Sequence, residues 1–495
     1  MILKYLNMIN PTSKLHPLDE ELKAASAELD ARRMALLKNG VQMVLDEIIA
    51  GIKPLAPELK TMKIKNDDLI NLAAKTIAEA CHGRLLVPHL SLPTDKTSPI
   101  WVWNGMYWDD IGDKQIYYDF IKDACLKMGL SEDLADSPNF SKKLNKVVEK
   151  KISRNPRKND TEGLVLVPLL NGVLEINREG ERTLRQHRRD DYFRYVIPFK
   201  YDEQAQCPRF CQFLDEVLPD KGIQLVVLEY FAKCFVPWLR IEKLMALLGS
   251  GSNGKSVLLG VLQGLFGEKN VSHENLHDLT YDEVHRANIE GKPLNICTEN
   301  EGRIKESILR TMVSGEPITC KKLYSQPFET SNYARLLFAF NEMPMVKNTV
   351  ANMRRWILVK FDVHITEEQA DMELGETLAA ELPGILNLVL SVLPELIKRK
   401  KFSKSEGIDN ALREMEFDND PVLQFLTQRC ECHPSFCTKA SDLFKAFCEF
   451  CQQNNIPNEL RNQGFYRRLE ELHHKPFMDN TKQKSFHIKI ARYED

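Results

Sequence analysis

The octapeptide Gly249-Ser250-Gly251-Ser252-Asn253-Gly254-Lys255-Ser256 constrains the fold more than any other stretch of the chain. It satisfies the pattern G-x-x-x-x-G-K-[ST], whose physical meaning depends on a strand before it and a helix after it. Both are legible. Leu244-Met245-Ala246-Leu247-Leu248 is a continuous apolar run of the kind that fills a strand buried on both faces. Val257 to Leu265 continues at helical spacing. A buried strand turning through glycines into a helix predicts a parallel α/β sheet, because a parallel neighbour is reached only through such a crossover. The glycines let backbone N–H groups approach phosphate oxygens, and the helix N-terminus adds the positive end of its dipole. In that setting Lys255 reaches the β- and γ-phosphates of a nucleoside triphosphate and Ser256 ligates Mg²⁺. ATP and Mg²⁺ are therefore the expected cofactors.

Three further apolar runs each meet a polar residue at one end. Leu294-Asn295-Ile296-Cys297-Thr298 leads to Glu299, a carboxylate at the C-terminal end of a strand, where open α/β sheets bind ligands. Such an acid holds the metal and polarises the attacking water of an NTPase. Leu336-Leu337-Phe338-Ala339-Phe340 ends in Asn341, an amide suited to orienting water or touching the γ-phosphate. Arg354 and Arg355 precede the fourth run, Trp356-Ile357-Leu358-Val359. Singly, each polar residue also suits a turn or a helix cap. Their order, P-loop then acid then amide then paired arginines, gives them a joint meaning. A GTPase would carry N-K-x-D and a transporter ATPase L-S-G-G-Q, and neither is present.

The rest of the chain frames this region. Its 495 residues suggest two to four domains. No run approaches the ~20 apolar residues of a membrane span, and the N-terminal MILKYLNMIN lacks a secretory leader pattern. A cytoplasmic protein without a membrane partner is expected. Twelve cysteines in so long a chain read as reduced thiols rather than a disulfide framework. Cys430, Cys432, His433 and Cys437 have a spacing that fits no usual zinc pattern. Residues 1–90 read as helical, and a Pro/Ser/Thr linker follows at Ser91–Pro99. Trp101 to Trp108 predicts a hairpin about Asn104-Gly105, and a second strand pair is expected around Asn171-Gly172. Net charge is −3, so any nucleic-acid contact must come from local basic clusters. One candidate is Lys142 to Lys158, with eight Lys/Arg against one Glu, read equally as a solvated helix face or a contact to DNA phosphates. Gly315-Glu316-Pro317 marks a turn, and the alternation from Thr319 to Leu323 predicts a hairpin strand bearing Lys321 and Lys322.

The segments GSGSNGKS, LNICTEN, LLFAFNEMP and NMRRW together resemble superfamily 3 helicases, a branch of the AAA+ ATPases, and most of all the primase-helicases of satellite phages and poxviruses. Upstream, LLNGVLEI and HRRDDYFRYVIPFKYDEQAQCPRF look like the domain preceding the motor in that family. Downstream, LAAELPGILNLVL and DNDPVLQFLTQRC look like its post-motor and winged-helix regions. The resemblance implies an AAA+-like α/β motor domain over residues 205–375. A helical region (1–90) and a small α+β domain (95–200) would precede it, and a winged-helix-like region (380–495) would follow. It implies an ATP-dependent DNA helicase working as a homo-oligomeric ring, normally a hexamer. Lys255 and Ser256 would be the P-loop pair, Glu299 the metal and water acid, and Asn341 the sensor. Arg354 or Arg355 would be a finger acting on the neighbouring subunit's nucleotide, and Lys321 and Lys322 a pore hairpin on DNA. Many relatives carry paired acids where this chain has Glu299-Asn300, so Glu301 competes with Glu299 for the water. Fewer than 100 residues precede the family-like region, with no carboxylate motif for primer synthesis, so a separate primase or replication initiator is the expected partner. A clamp ATPase that encloses or remodels DNA without processive unwinding is the other reading.

Overall fold

The computed structural model of the protein describes residues 18–55, 65–88, 99–156, 163–298, 302–323, 326–342, 350–456 and 460–491. They fall into two compact units. The first comprises residues 1–161, 167–175 and 183–201, and the second residues 162–166, 176–182 and 202–495.

In the first unit the helices Leu18–Gly51 and Asn66–Ala80 share one core with Lys114–Lys127 and Pro138–Ile152. Ile48, Ile77, Phe120, Leu144 and Val148 are sealed within it. The expectation of an all-helical first 90 residues needs one correction: Leu85–Pro88 is a strand. Its four residues are all buried, and it pairs antiparallel with Trp101–Trp103 and parallel with Ser153–Arg154. A short apolar run is satisfied by either element, and here the sheet partners decide. The expected Trp hairpin is present, Trp101–Trp103 against Trp108–Asp110. Its turn is closed by Asn104, whose Oδ1 accepts from the N–H groups of Met106 and Tyr107, both at 3.0 Å. The strands Val165–Leu169 and Gly172–Ile176 flank Asn171-Gly172 as expected, joined by Arg182–Arg185 in a three-stranded sheet.

The second unit is built on a parallel sheet of five strands, which we number β1 (Leu244–Leu248), β2 (Val271–Ser272), β3 (Leu294–Cys297), β4 (Arg335–Phe340) and β5 (Trp356–Lys360). Their order is β5-β1-β4-β3-β2, with all neighbours parallel. The central strands are apolar on both faces, as a sheet covered by helices requires. Leu244, Phe338, Trp356 and Leu358 form the core of one face with Met415 of helix Glu406–Asp418. Farther on, Pro421–Arg429, Ala440–Gln453 and Asn462–Glu471 enclose a second core of Phe425, Phe447, Phe465 and Phe486. Phe447 and Phe465 stack there at 4.6 Å, and Cys451 is buried with them. Two short strands close this region on either side of His487: Lys484–Phe486 pairs with Thr438–Lys439, and Ile488–Ile490 with Cys430–Cys432. Phe486 and Ile488 both face the core. Among the described residues no single helix is long and apolar enough to cross a membrane.

Candidate nucleotide site

The register of the sheet brings the polar strand ends to one edge. Phe340 of β4 pairs with Leu248 of β1, and the N–H of Gly249 donates to the Phe340 carbonyl at 3.1 Å. Asn341, exposed and next in the chain, therefore lies beside the first residue of the glycine loop. Cys297 of β3 pairs with Phe338, so β3 ends toward the same edge. Glu299, Asn300 and Glu301 lie outside the described residues.

The loop turns through three positive-φ residues, Gly251, Ser252 and Gly254, and the helix Lys255–Phe266 starts directly after it. Gly254 has φ +86°, and a Cβ there would stand 2.6 Å from Cγ1 of Val217. The conformation and the close packing both demand glycine. Lys255 is only 7% exposed, and burial holds its ammonium below the ordinary lysine range. Its Nζ donates to the Gly249 carbonyl, so the charge is aimed into the loop's own concavity. Ser256, one residue on, is exposed in the first helical turn. Successive backbone N–H groups, a helix N-terminus and a buried ammonium form a donor set for an anionic, phosphate-bearing ligand, and the Ser256 hydroxyl suits its metal ion.

A brace invisible in the sequence holds this loop. The chain leaving β5 runs over it: the Phe361 N–H donates to the Leu248 carbonyl at 2.8 Å, and the Ile365 N–H to the Ser252 carbonyl at 2.7 Å. Asn253, 3% exposed, donates from Nδ2 to the Phe361 carbonyl at 3.3 Å. The motif leaves its second to fifth positions free, and nothing in the pattern marks Asn253 as a clasp.

The two arginines stand at the opposite edge. Trp356 pairs with Leu244 at the start of both strands, so Arg354 and Arg355 precede the sheet whereas the loop follows it. Five residues at about 3.3 Å each separate the two edges by roughly 16 Å, farther than an arginine side chain reaches. They are also unlike each other. The Arg355 side chain is 10% exposed and donates to Oε2 of Glu242 and Oγ of Ser314, both at 3.4 Å. That of Arg354 is 61% exposed and approaches Glu242 at 3.8 Å.

The expected basic hairpin is formed by Ile318–Cys320 and Phe328–Thr330. Lys321 and Lys322 are not in its strand but open the connecting segment, where both are exposed and Leu323 beside them is 70% exposed. Lys322 lies 3.6 Å from Glu290. Buried Arg286 supports the hairpin, donating from Nε to the Thr319 carbonyl at 2.8 Å, and Tyr333 donates its hydroxyl to the Glu316 carbonyl at 2.8 Å.

Three family models match successive segments of the chain. The family described as D5 N terminal like matches residues 94–219, and one described as Poxvirus D5 protein-like matches 417–493. Between them a family of unknown function, DUF5906, matches 247–355, from the glycine loop through both arginines. Two viral proteins named as helicases are similar in sequence. That of Invertebrate iridescent virus 3 is 22% identical over 211 residues, 38% of this chain and 22% of its own length. That of Acanthamoeba polyphaga mimivirus is 22% identical over 255 residues, 48% of this chain and 24% of its own. The chain thus spans under a quarter of the length of these relatives. Among solved structures, the apo A form of the NrS-1 C-terminal region covers 82% of this chain and 96% of its own, with 12% identity and a TM-score of 0.46. Another apo structure of that region covers 66% and 96%, at 11% identity and a TM-score of 0.40. The resemblance read from the motifs is borne out by the two D5-type matches and the viral relatives.

Proposed function

We propose that this chain, which is of the phage and viral primase-helicase type, is an ATP-driven DNA helicase whose AAA+-like motor works as a closed ring. The observation that carries the reading is the polarity of the sheet. The Gly249–Ser256 loop and Asn341 share the edge to which β3 leads, and Arg354 stands roughly 16 Å away at the other. A site whose cationic finger lies at the far edge of its own sheet is completed by a neighbour's finger. A head-to-tail ring supplies one such interface per subunit.

In this mechanism the loop N–H groups and Lys255 hold the triphosphate, and Ser256 with Glu299 would hold Mg²⁺, which would supply positive charge against that developing on the phosphates. Glu299, or Glu301 near it, takes the proton of the attacking water. Asn341 orients that water from the adjacent strand, and Arg354 of the next subunit meets the charge that develops on the transferring group. The hairpin Ile318–Thr330 lies in the chain between β3 and β4, so a change in nucleotide at those strand ends is carried to Lys321 and Lys322. These two side chains bind DNA phosphates without regard to sequence.

The test is ATP hydrolysis with and without single-stranded DNA, together with strand displacement on forks bearing 5′ or 3′ tails. DNA-stimulated hydrolysis with displacement of one fork type is expected, and Lys255→Ala lowers hydrolysis by ~10²–10³. Hydrolysis without displacement on any fork identifies a clamp rather than a motor.

A further inference from the structure

Helix Pro138–Ile152 has two opposed faces. Phe140, Leu144, Val148 and Ile152 recur every four residues and are buried in the core of the first unit. Lys142, Lys146 and Lys150 recur at the same interval and are exposed. At about 100° and 1.5 Å per residue, the lysine ridge points about 180° from the apolar ridge and advances about 6 Å per charge. None of the three forms an ion pair with a described residue, whereas Lys143 beside them is 3.0 Å from Asp67.

The helix runs directly into the strand Ser153–Arg154, where Arg154 is exposed. There it meets a second guanidinium. A Cβ on Gly83 would stand 2.7 Å from Nη1 of Arg189 and 3.7 Å from Nη1 of Arg154, so the two groups converge on one point of the surface. Gly83 itself has φ +70°, a backbone conformation that favours glycine. Arg189 donates from Nη1 to the His82 carbonyl. Neither Arg189 nor Arg154 is in an ion pair with a described carboxylate. The neighbouring Asp191 is engaged instead by Arg185 through two bonds of 2.8 Å. Trp108 pins the turn that carries Arg189. Its indole N–H donates to the Arg189 carbonyl at 2.8 Å, and its ring lies parallel to that of half-buried Tyr192, with centroids 6.2 Å apart.

Like charges gathered in a row and brought to a fixed corner repel one another unless an anion joins them. We propose that Lys142, Lys146, Lys150, Arg154 and Arg189 form a phosphate-binding track for single-stranded nucleic acid. It is built from residues other than those of the nucleotide loop and the pore hairpin. Evenly spaced cations match a backbone whose charge repeats regularly, and Tyr192 beside Arg189 offers an aromatic face to an unstacked base.

The 495-residue protein is titrated, without nucleotide, into a fluorescein-labelled oligothymidylate and into a labelled duplex, over a series of salt concentrations. The K142A/K146A/K150A protein loses three phosphate contacts. Its log-log salt slope on the single strand should fall by about 2, and its affinity at 0.1 M salt by up to ~10²-fold. A charge-matched control, K38A/K53A/K127A, removes three exposed lysines elsewhere in the same unit and should bind as wild type does. All six side chains are exposed, so both proteins should melt like the parent. Absence of single-strand binding by the parent, unchanged binding by the ridge variant, an equal loss in the control, or a loss confined to the duplex each overturns the proposal. Because nucleotide is omitted, failure of the ATPase reading leaves this result intact, and Lys255→Ala protein should bind the oligonucleotide as the parent does.

Discussion

Replacing Arg354 by alanine separates a ring motor from a self-sufficient ATPase. The Arg354 side chain is 61% exposed, and its ion pair with Glu242 is long at 3.8 Å. A surface pair of that kind is worth about 0–1 kcal/mol, so the variant should fold and melt normally. It should also bind ATP, because the loop and Lys255 lie roughly 16 Å away at the other edge of the sheet. Hydrolysis should nevertheless fall by at least ~10³, which is about 4 kcal/mol of lost transition-state stabilisation. Arg355→Ala should behave differently. Its guanidinium is buried against Glu242 and Ser314, and removing it should cost about 1–3 kcal/mol of stability and lower Tm. The decisive assay mixes Arg354→Ala with Lys255→Ala protein. In a randomly mixed head-to-tail ring about a quarter of interfaces join an intact loop to an intact finger, so up to that share of activity should return. No return under proven subunit exchange, or full turnover by Arg354→Ala alone, refutes the shared site.

Two further outcomes follow from the geometry. The K321A/K322A protein should keep its basal ATPase and lose DNA stimulation and unwinding, since the Lys322–Glu290 pair it breaks is solvent-exposed and adds little to folding; unwinding at full rate would remove the hairpin from the DNA path. Lys233 is 3% exposed, and burial, with Arg335 nearby, pulls its ammonium from 10.5 down to about 7. Between those values the unfolded chain binds the extra proton, so wild-type stability rises with pH across that window and is lowest below it. Lys233→Met should therefore be more stable than the parent by ~1–4 kcal/mol at pH 6.5. Thermal melts should show the advantage shrinking toward pH 10, and an equal advantage at both ends would contradict the assignment.

Much of the parallel-sheet region was legible because its signals are local. Each apolar run is short and bounded by a polar residue or glycine, and each became a strand within a residue or two of its expected limits. Lys255 and Ser256 followed from a motif whose spacing is itself the geometry. The hairpin strand was expected to reach Leu323, yet it ends at Cys320. Alternation cannot tell a strand residue from an extended one in the connecting segment when both are exposed.

Four of the five strands of the parallel sheet, the place where the glycine loop turns, and the residues chemically fit for a phosphate-bearing ligand could be read from the sequence. Those properties depend on neighbours within a few positions. Long-range packing placed β4 between β1 and β3, bringing Asn341 beside Gly249. It likewise parted two adjacent arginines into one buried and one exposed, and laid Phe361 across Asn253, 108 positions away. Strand order, burial and clasps arise when distant segments compete for the same core, and no window along the chain contains both partners.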